Sequence, residues 1–307
     1  MRKIATMIDA YAHSITGQLG VGFKNLITGD EYYFHKDERF PSASTLKIPV
    51  LIELFHQVEQ GKIALTDLHA LDRQDIAPGS GVLRVLKPGV TMSIYDYAVL
   101  MMIVSDNTAT DVVYNLLGRE NIRGMIDKMG LRNTRSDLNC KELLCSLVGM
   151  PPETSFEEMV ELFNREGTDQ EIPERTEMYT DFDRPNDFSS PADMVTMLSG
   201  LYHKELISPK ACEEMMQIMA ECQTNGRIPY DLPQHGPNKP QAVIHKTGTL
   251  SYVANDCGIV KTSTNAYILA MFYNGIHAEP AEKEELHHHD RLLAHLSRDI
   301  FNAIHNL

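Results

Sequence analysis

The sequence predicts an α+β protein whose sheet is built from both ends of the chain and whose helical lobe is built from the middle. Two strand-like segments, residues 19–23 and 31–35, flank a turn at residues 28–30 and should form a hairpin. Most of the central chain has apolar residues three or four positions apart, the period of a buried helix face. Three more strand-like segments follow this region, at residues 242–246, 256–261 and 266–273.

Helices can be placed along the chain from this period and from the residues that start or end helices. Ser190 followed by Pro191 is typical of a helix start, and Gly118 and Gly130 are placed to end two helices. Two segments rich in turn-forming residues, 62–92 and 223–240, should be loops. The predicted helices cover residues 1–15, 44–61, 94–104, 109–117, 121–129, 157–166, 190–203, 209–221 and 284–306.

The composition is that of an ordinary soluble domain and argues against several kinds of partner. Of the 307 residues, 28 are basic and 42 acidic, and the net charge of -14 argues against nucleic acid or an anionic membrane as a partner. No apolar run is long enough to span a bilayer, and residues 1–10 do not read as a secretory signal. We therefore expect a cytoplasmic monomer, or a secreted or periplasmic one if a leader precedes the sequence. The five cysteines include no C-x-x-C pair and predict no disulfide framework.

The most informative pair of residues is Ser44 and Lys47. On a helix, side chains three residues apart lie on one face. The following residues, 48–55, are apolar on nearly every side, so this helix should be buried. Burial and the positive helix N-terminus disfavour the ammonium form of Lys47, and a neutral amine could take the proton of the Ser44 hydroxyl. Taken alone, however, the pair is better explained as an N-cap serine and a lysine that extends to solvent.

Two later motifs change that balance. Residues 105–107 (S-D-N) end an apolar segment, and residues 246–249 (K-T-G-T) follow a strand-like one. The motifs S-x-x-K, S-D-N and K-T-G each occur once, in the order that marks class A β-lactamases and penicillin-binding proteins. On these motifs the chain resembles the class A β-lactamase-like serine hydrolases along its whole length.

The resemblance implies acyl transfer and assigns a catalytic part to four residues. Ser44 would be the nucleophile and Lys47 its activator. Ser105 would pass a proton to the leaving nitrogen, although it could also be the N-cap of the next helix. Lys246 would supply positive charge. The backbone N–H groups of Ser44 and Thr249 would form the oxyanion hole.

A second group of residues would bind the substrate. Asn107 would hold Lys47 and the substrate amide, and Gly248 would let its strand come close to the ligand. Thr247 and Thr249 would offer hydroxyl groups to a substrate carboxylate. Arg227 lies in a sequence context in which some class A relatives have an arginine that reaches this carboxylate, so it is a candidate anchor.

The resemblance also implies the architecture. It predicts a five-stranded antiparallel sheet in a three-layer α/β/α lobe flanked by the terminal helices, an all-helical lobe, and an active site between them. Residues 1–307 would form a single catalytic domain, with the sheet lobe at 1–38 and 235–307 and the helical lobe at 39–234. Relative to the family, residues around 140–188 look like an insertion, either a lid or a solvated excursion.

The sequence departs from the family where class A enzymes carry the glutamate that activates the deacylating water. One alignment puts Arg135 at this position, and another puts Cys140 there with Glu142 nearby. Glu142 is a candidate deacylation base, and Glu174 and Glu177 in the insertion are alternatives. Acylation is therefore expected, whereas rapid hydrolysis is not supported.

Three functions fit this sequence. The first is hydrolysis of β-lactams or related small amides and esters that bear a carboxylate, with slow deacylation. The second is a penicillin-binding-type peptidase or esterase that β-lactams inhibit, and the third is a non-enzymatic sensor that stays acylated. No cofactor or metal is expected, because the histidines of the last predicted helix look like a solvated face. These histidines are His287, His288, His289 and His295.

Overall fold

The computed structural model describes residues 1–151, 154–155, 157–158, 180–278 and 288–306. The contacts divide the chain into two compact units. The sheet unit comprises Met1–Leu46, Leu131–Thr134 and Phe188–Leu307, and the helical unit comprises Lys47–Gly130 and Arg135–Asp187. The sequence assigned residues 39–46, 131–134 and 188–234 to the helical lobe, but these residues group with the sheet. Most of the helix expected at 157–166, with Glu174, Glu177 and His287, lies outside the described residues.

Within the described residues, the predicted helices and the strands of the large sheet occur in the expected order. The helix at Cys140–Leu147 and the short strands between residues 40 and 189 were not predicted, and two of these strands begin in the segment 62–92 that was expected to be a loop. The helices are α1 (Arg2–His13), α2 (Lys47–Glu59), α3 (Ile94–Ile103), α4 (Asn107–Leu117), α5 (Arg119–Lys128), α6 (Cys140–Leu147), α7 (Pro191–His203), α8 (Pro209–Ala220) and α9 (His288–His305). The strands are β1 (Gln18–Asn25), β2 (Glu31–Phe34), β3 (Phe40–Pro41), β4 (Leu68–Ala70), β5 (Thr91–Ser93), β6 (Arg135–Ser136), β7 (Asp187–Ser189), β8 (Ala242–Leu250), β9 (Val253–Lys261) and β10 (Ala266–Asn274).

The sheet unit is built on a five-stranded antiparallel sheet, as predicted. Its strand order is β2-β1-β10-β9-β8, so the N-terminal hairpin lies beside the C-terminal strands. In β1, Val21 lies opposite Met271 of β10, and both are fully buried. These two residues belong to an apolar cluster that the sheet shares with α1 and α9. Because β1 and β10 are covered on this face by both terminal helices, the two ends of the chain are held together.

The opposite face of the same sheet is covered by α7. Side chains alternate across a strand, so Gly20 and Gly22 of β1 point away from the terminal helices. A Cβ atom on Gly22 would lie 2.6 Å from Val195 Cγ2 and 2.8 Å from the carbonyl oxygen of Pro191. The absence of a side chain at Gly22 therefore allows α7 to approach the strand. Helices on both faces give the sheet unit the predicted α/β/α layers.

The helical unit is organised around α4. This helix packs against α2, α3, α5 and α6, and nine of its eleven residues are buried. Gly118 ends α4 with a φ of 80°, and Gly130 follows α5 with a φ of 72°, which confirms both predicted helix ends. Among the described residues, we find no helix that is both long enough and apolar enough to cross a membrane.

Candidate active site

Ser44 lies on a short 3-10 helix, Ala43–Leu46, that precedes α2. The sequence predicted one continuous helix through Ser44 and Lys47, but the α-helix begins at Lys47. Ala43 adopts a left-handed backbone with a φ of 46°, a conformation that non-glycine residues rarely adopt and that often occurs at functional sites. The structure describes every residue from Phe40 to Phe55. Ser44 is partly exposed, and all the others in this range are buried. The turn therefore presents one hydroxyl from an otherwise buried segment.

The sheet holds the Ser44 turn through two contacts. Asn255 of β9 donates from its side-chain nitrogen to the carbonyl oxygens of Pro41 (2.8 Å) and Ser42 (3.0 Å). A Cβ atom on Gly248 would lie 2.6 Å from the Ser42 carbonyl oxygen and 3.1 Å from the Ser44 nitrogen. The sequence predicted that Gly248 lets its strand come close to a ligand. In the structure, the missing side chain of Gly248 leaves room for the backbone that carries Ser44.

The K-T-G residues lie inside β8, which extends beyond the predicted strand end to Leu250. Lys246 is fully buried and donates to the Thr247 carbonyl oxygen at 2.8 Å. Thr247 is buried as well, whereas Thr249 is exposed. The strand thus places a buried lysine side chain and an exposed hydroxyl three residues apart on the chain.

The Arg227 side chain is buried and hydrogen-bonded to other groups of the protein, so it is not a free cation facing solvent. Its Nε donates to Asp290 at 2.6 Å, and its Nη1 donates to the carbonyl oxygens of Gly248 (2.8 Å) and Asn255 (2.6 Å). Its Nη2 donates to the Thr249 hydroxyl at 2.7 Å. Four of the five N–H groups of a guanidinium are therefore directed to protein acceptors. This geometry suits a residue that fixes β8 and orients Thr249 better than it suits a direct anchor.

In the helical unit, Lys47 is fully buried and hydrogen-bonded to the S-D-N motif. Its Nζ lies 2.8 Å from the Ser105 carbonyl oxygen, 3.0 Å from Ser105 Oγ and 2.8 Å from Asn107 Oδ1. Burial lowers the pKa of Lys47, although the nearby groups Cys140, Asp111 and Asp106 oppose the shift. An ammonium could donate all three bonds. A neutral amine could donate two and accept the third from the Ser105 hydroxyl.

The S-D-N segment is a strained turn between α3 and α4. Ser105 has a φ of 55°, in the left-handed region. The helix cap, which Ser105 could have supplied, is Asp106, whose Oδ1 accepts from Ala109 N at 3.0 Å. The other Asp106 oxygen accepts from the backbone nitrogens of Val82 and Leu83. Because Asp106 caps α4, the Ser105 hydroxyl is not needed as the cap and can bond Lys47.

Asp111, which no sequence motif indicated, lies close to Lys47. It is buried on α4, and its two oxygens accept from Cys140 N at 2.7 Å and Lys141 N at 2.9 Å. Burial raises the pKa of Asp111 to about 7, although these backbone N–H groups and the charge of Lys47 lower it. The spacing of Asp111 in the sequence could have indicated it, because a residue four positions after Asn107 lies on the same helix face.

The structure places the two candidate residues for the deacylation position, Cys140 and Arg135, in different surroundings. Cys140 is buried at the start of α6, near Lys47 and Asp111, and burial raises the pKa of its thiol despite the charge of Lys47. Arg135 contacts Asp137 through an ion pair of 3.5 Å. The alignment that puts Cys140 at the glutamate position therefore agrees better with the structure.

Glu142 is held by two structural interactions. Both of its oxygens accept from Arg119 Nη2, at 2.7 and 2.6 Å. One oxygen also accepts from Asn139 N, which completes a capping box at the start of α6. These contacts give Glu142 a role in fixing α6. The bond from Arg119 joins residues 23 positions apart, and no local sequence pattern indicates it.

The fold and motif residues are those of the class A β-lactamase-like serine hydrolases. The sequence profile of the beta-lactamase enzyme family matches residues 1–304, so the chain belongs to that family. It is 27% identical over 134 residues to Beta-lactamase CARB-4 of Pseudomonas aeruginosa. This alignment covers 43% of this chain and 45% of the relative, so the chain spans about half the length of the curated relative it matches there.

Two solved structures share the fold over nearly the whole chain. The beta-lactamase from Sphaerobacter thermophilus has a TM-score of 0.78 at 24% identity, covering 100% of this chain and 98% of that one. A PBP-A point mutant, solved as an acyl-enzyme complex with penicillin G, has a TM-score of 0.75 at 24% identity and covers 100% and 97%. These similarities confirm the predicted α+β fold.

Asp111 should make stability depend on pH. Its pKa is raised to about 7 in the folded protein, so the folded state binds more protons than the unfolded state between about pH 4 and pH 7. Stability should therefore fall as the pH rises through this window. In Asp111→Asn the loss between pH 5 and pH 8 should be smaller by roughly 2–3 kcal/mol. Urea denaturation of both proteins at the two pH values tests this, and an equal loss in both would contradict it.

Proposed function

We propose that this protein is a serine hydrolase that β-lactams, or related small amides and esters bearing a carboxylate, acylate at Ser44. The observation that carries the proposal is the buried amine of Lys47, hydrogen-bonded to Ser105 and Asn107 and three residues after a partly exposed serine. A lysine that only extended to solvent would be exposed and would not need these hydrogen-bond partners. A lysine with a lowered pKa can accept the proton of a serine hydroxyl.

The proposed acylation divides the proton transfers between two groups. Neutral Lys47 takes the proton from Ser44 as Oγ attacks the carbonyl carbon, and the negative charge develops on the carbonyl oxygen. The N–H groups of Ser44 and Thr249 would stabilise this charge. The closeness of Gly248 to Ser44 N supports that pairing, because the strand that carries Thr249 runs against the Ser44 turn. The carbonyl double bond then re-forms as the C–N bond breaks. Ser105 gives its proton to the leaving nitrogen and takes the proton held by Lys47, whose Nζ lies 3.0 Å from Ser105 Oγ.

Recognition of the substrate carboxylate is assigned to β8. Lys246 supplies the charge, and Thr247 and Thr249 supply hydroxyl groups. In this proposal Arg227 acts through Thr249, because its Nη2 already donates to the Thr249 hydroxyl. The acceptor side of that hydroxyl is then occupied, so its own hydrogen is directed elsewhere and can be donated to a carboxylate.

We further propose that deacylation is slow. The second step needs a base that can accept a proton from water. Cys140 remains a thiol because burial raises its pKa, and Glu142 is bound by Arg119 and Asn139. The carboxyl group of Asp111 is buried and accepts from two backbone N–H groups. None of the three is arranged as a free carboxylate beside the amine.

Slow deacylation also favours a second candidate, the penicillin-binding type of peptidase or esterase. For such a protein a β-lactam is an inhibitor, and the natural substrate is another amide or ester. The structural similarity to PBP-A, a point mutant of which was captured with penicillin G as an acyl-enzyme, supports this candidate. The two candidates share the acylation step and differ in how fast the β-lactam adduct is lost.

The acylation step is tested by labelling with penicillin G. Intact mass should show one adduct per chain, and peptide mapping should place it on Ser44. The Lys47→Met variant keeps a chain of similar length without the amine, and its acylation should be slower by about 100- to 10,000-fold. Circular dichroism should show an unchanged fold. An adduct that persists in Ser44→Ala would contradict the proposal.

The deacylation step is tested with two variants that start from the same acyl-enzyme. Glu142→Gln should change the lifetime of the adduct by less than about threefold, because Glu142 is not the base. Cys140→Glu places a carboxylate near Lys47 and should shorten the lifetime by at least about tenfold, since a positioned general base contributes 100-fold or more. Intact mass followed over time measures both lifetimes. A strongly prolonged lifetime in Glu142→Gln would identify Glu142 as the base and overturn the slow-deacylation account.

A further inference from the structure

A tight loop, residues 78–83, packs against the S-D-N motif within the helical unit. Two of its glycines have positive φ angles, 89° at Gly79 and 105° at Gly81. A Cβ atom on Gly79 would lie 2.6 Å from Asn107 Nδ2, and one on Gly81 would overlap the Asp106 side chain. Because neither glycine has a side chain, the loop can approach the motif closely.

The loop fixes the orientation of the Asn107 side chain. The Pro78 carbonyl oxygen accepts from Asn107 Nδ2 at 2.8 Å, and the Ser80 carbonyl oxygen accepts from the Asn107 backbone nitrogen at 3.0 Å. A carbonyl oxygen can only accept, so the nitrogen of the side-chain amide must face Pro78. The oxygen of the same amide is then the atom that accepts from Lys47 Nζ at 2.8 Å.

The Ser80 hydroxyl shares its acceptors with Lys47. Ser80 Oγ donates to the Ser105 carbonyl oxygen at 2.6 Å and lies 3.2 Å from Asn107 Oδ1. Lys47 Nζ lies 2.8 Å from each of the same two oxygen atoms. Ser80 is exposed, whereas Lys47 is fully buried. A hydroxyl at the surface is therefore connected to the buried amine through two shared oxygen atoms.

We propose that Ser80 is a positioning residue for acylation, and that it acts on Lys47 through the two oxygen atoms that both residues bond. This role rests on the proposed function, because it belongs to the same acylation step. Ser80 takes no part in the bond changes. Its hydroxyl holds the Ser105 carbonyl group, whose residue has a left-handed backbone, and so fixes one of the oxygen atoms that direct the amine.

The Ser80 hydroxyl should also oppose the ammonium form of Lys47. Each shared oxygen has two lone pairs and can accept one bond from Nζ and one from Ser80. The positive end of the Ser80 O–H dipole then points toward oxygen atoms beside Nζ, which disfavours a positive charge there. Burial acts in the same direction and lowers the pKa of Lys47. The titratable groups that face this amine and raise its pKa are Cys140, Asp111 and Asp106.

The pH dependence of acylation tests the role of Ser80. At pH 7, penicillin G should acylate Ser44 about 3- to 10-fold more slowly in Ser80→Ala than in the parent, as expected for one lost hydrogen bond. The difference should shrink as the pH rises, because a higher pH restores the neutral amine. Intact mass after rapid quenching gives the rate from pH 6 to pH 10. A rate that is unchanged, or reduced equally at every pH, would overturn the proposal.

Two variants separate this effect from a general loss of structure. Ser80→Thr keeps the hydroxyl, so its rate should lie within about twofold of the parent rate. Thr91→Ala removes an exposed hydroxyl of the segment 62–92 that bonds the Gly89 carbonyl oxygen, and it should leave the rate unchanged at every pH. A rate in Ser80→Thr as low as in Ser80→Ala would contradict the proposal. Where Ser80→Ala does not fold, Ser80→Cys, a weak donor, takes its place.

A measurement that needs no substrate separates the role of Ser80 from the proposed function. Nitrogen-15 NMR of lysine side chains follows the titration of Lys47 Nζ, which Ser80→Ala should move to higher pH and Thr91→Ala should leave in place. If penicillin G does not acylate Ser44 in the parent, the proposed function fails and this titration alone decides about Ser80. If the parent is acylated but Lys47 titrates equally in the parent and in Ser80→Ala, only the role of Ser80 is wrong.

Discussion

The burial of a single amine is the constraint on which the candidate site depends. Lys47 Nζ is surrounded by three neutral oxygen atoms from Ser105 and Asn107, and the nearby carboxyl groups of Asp106 and Asp111 act on it by charge. Among the described residues no carboxylate is bonded directly to this Nζ, so burial dominates and lowers the pKa of Lys47. Two features accompany the bond between the Ser105 hydroxyl and this amine. Ser105 has a left-handed backbone, and Asp106 caps the following helix in its place.

The sheet unit serves the site by fixing backbone. Asn255 bonds the segment before Ser44, Gly248 allows β8 to approach the same segment, and Arg227 ties β8 to β9 through two carbonyl oxygens. These residues hold Ser44 and Thr249 in place through hydrogen bonds to backbone groups. The same two strands carry the buried pair of His245 and Asp256, whose side chains are hydrogen-bonded at 2.8 Å.

The sequence predicted local structure well and long-range partners poorly. Helix ends at Gly118 and Gly130 depend on one residue each, and the five-stranded sheet followed from the family resemblance. Two sets of contacts join distant parts of the chain: the bidentate bond from Arg119 to Glu142 and the four bonds of Arg227. Because no local pattern indicates such contacts, the base role of Glu142 and the anchor role of Arg227 were predicted from sequence position alone. Asp111 was missed because a carboxyl group inside a helical pattern looks like a solvated one until its burial is known.

The central claim is that burial lowers the pKa of Lys47 and so favours its neutral amine. Nitrogen-15 NMR of lysine side chains reports whether each Nζ is an ammonium or an amine, and the Lys47→Met variant identifies the signal of Lys47. The account predicts that this Nζ titrates well below the value of 10.5 for an exposed lysine. An Nζ that is still an ammonium at pH 10, or that titrates together with the surface lysines, would contradict the account.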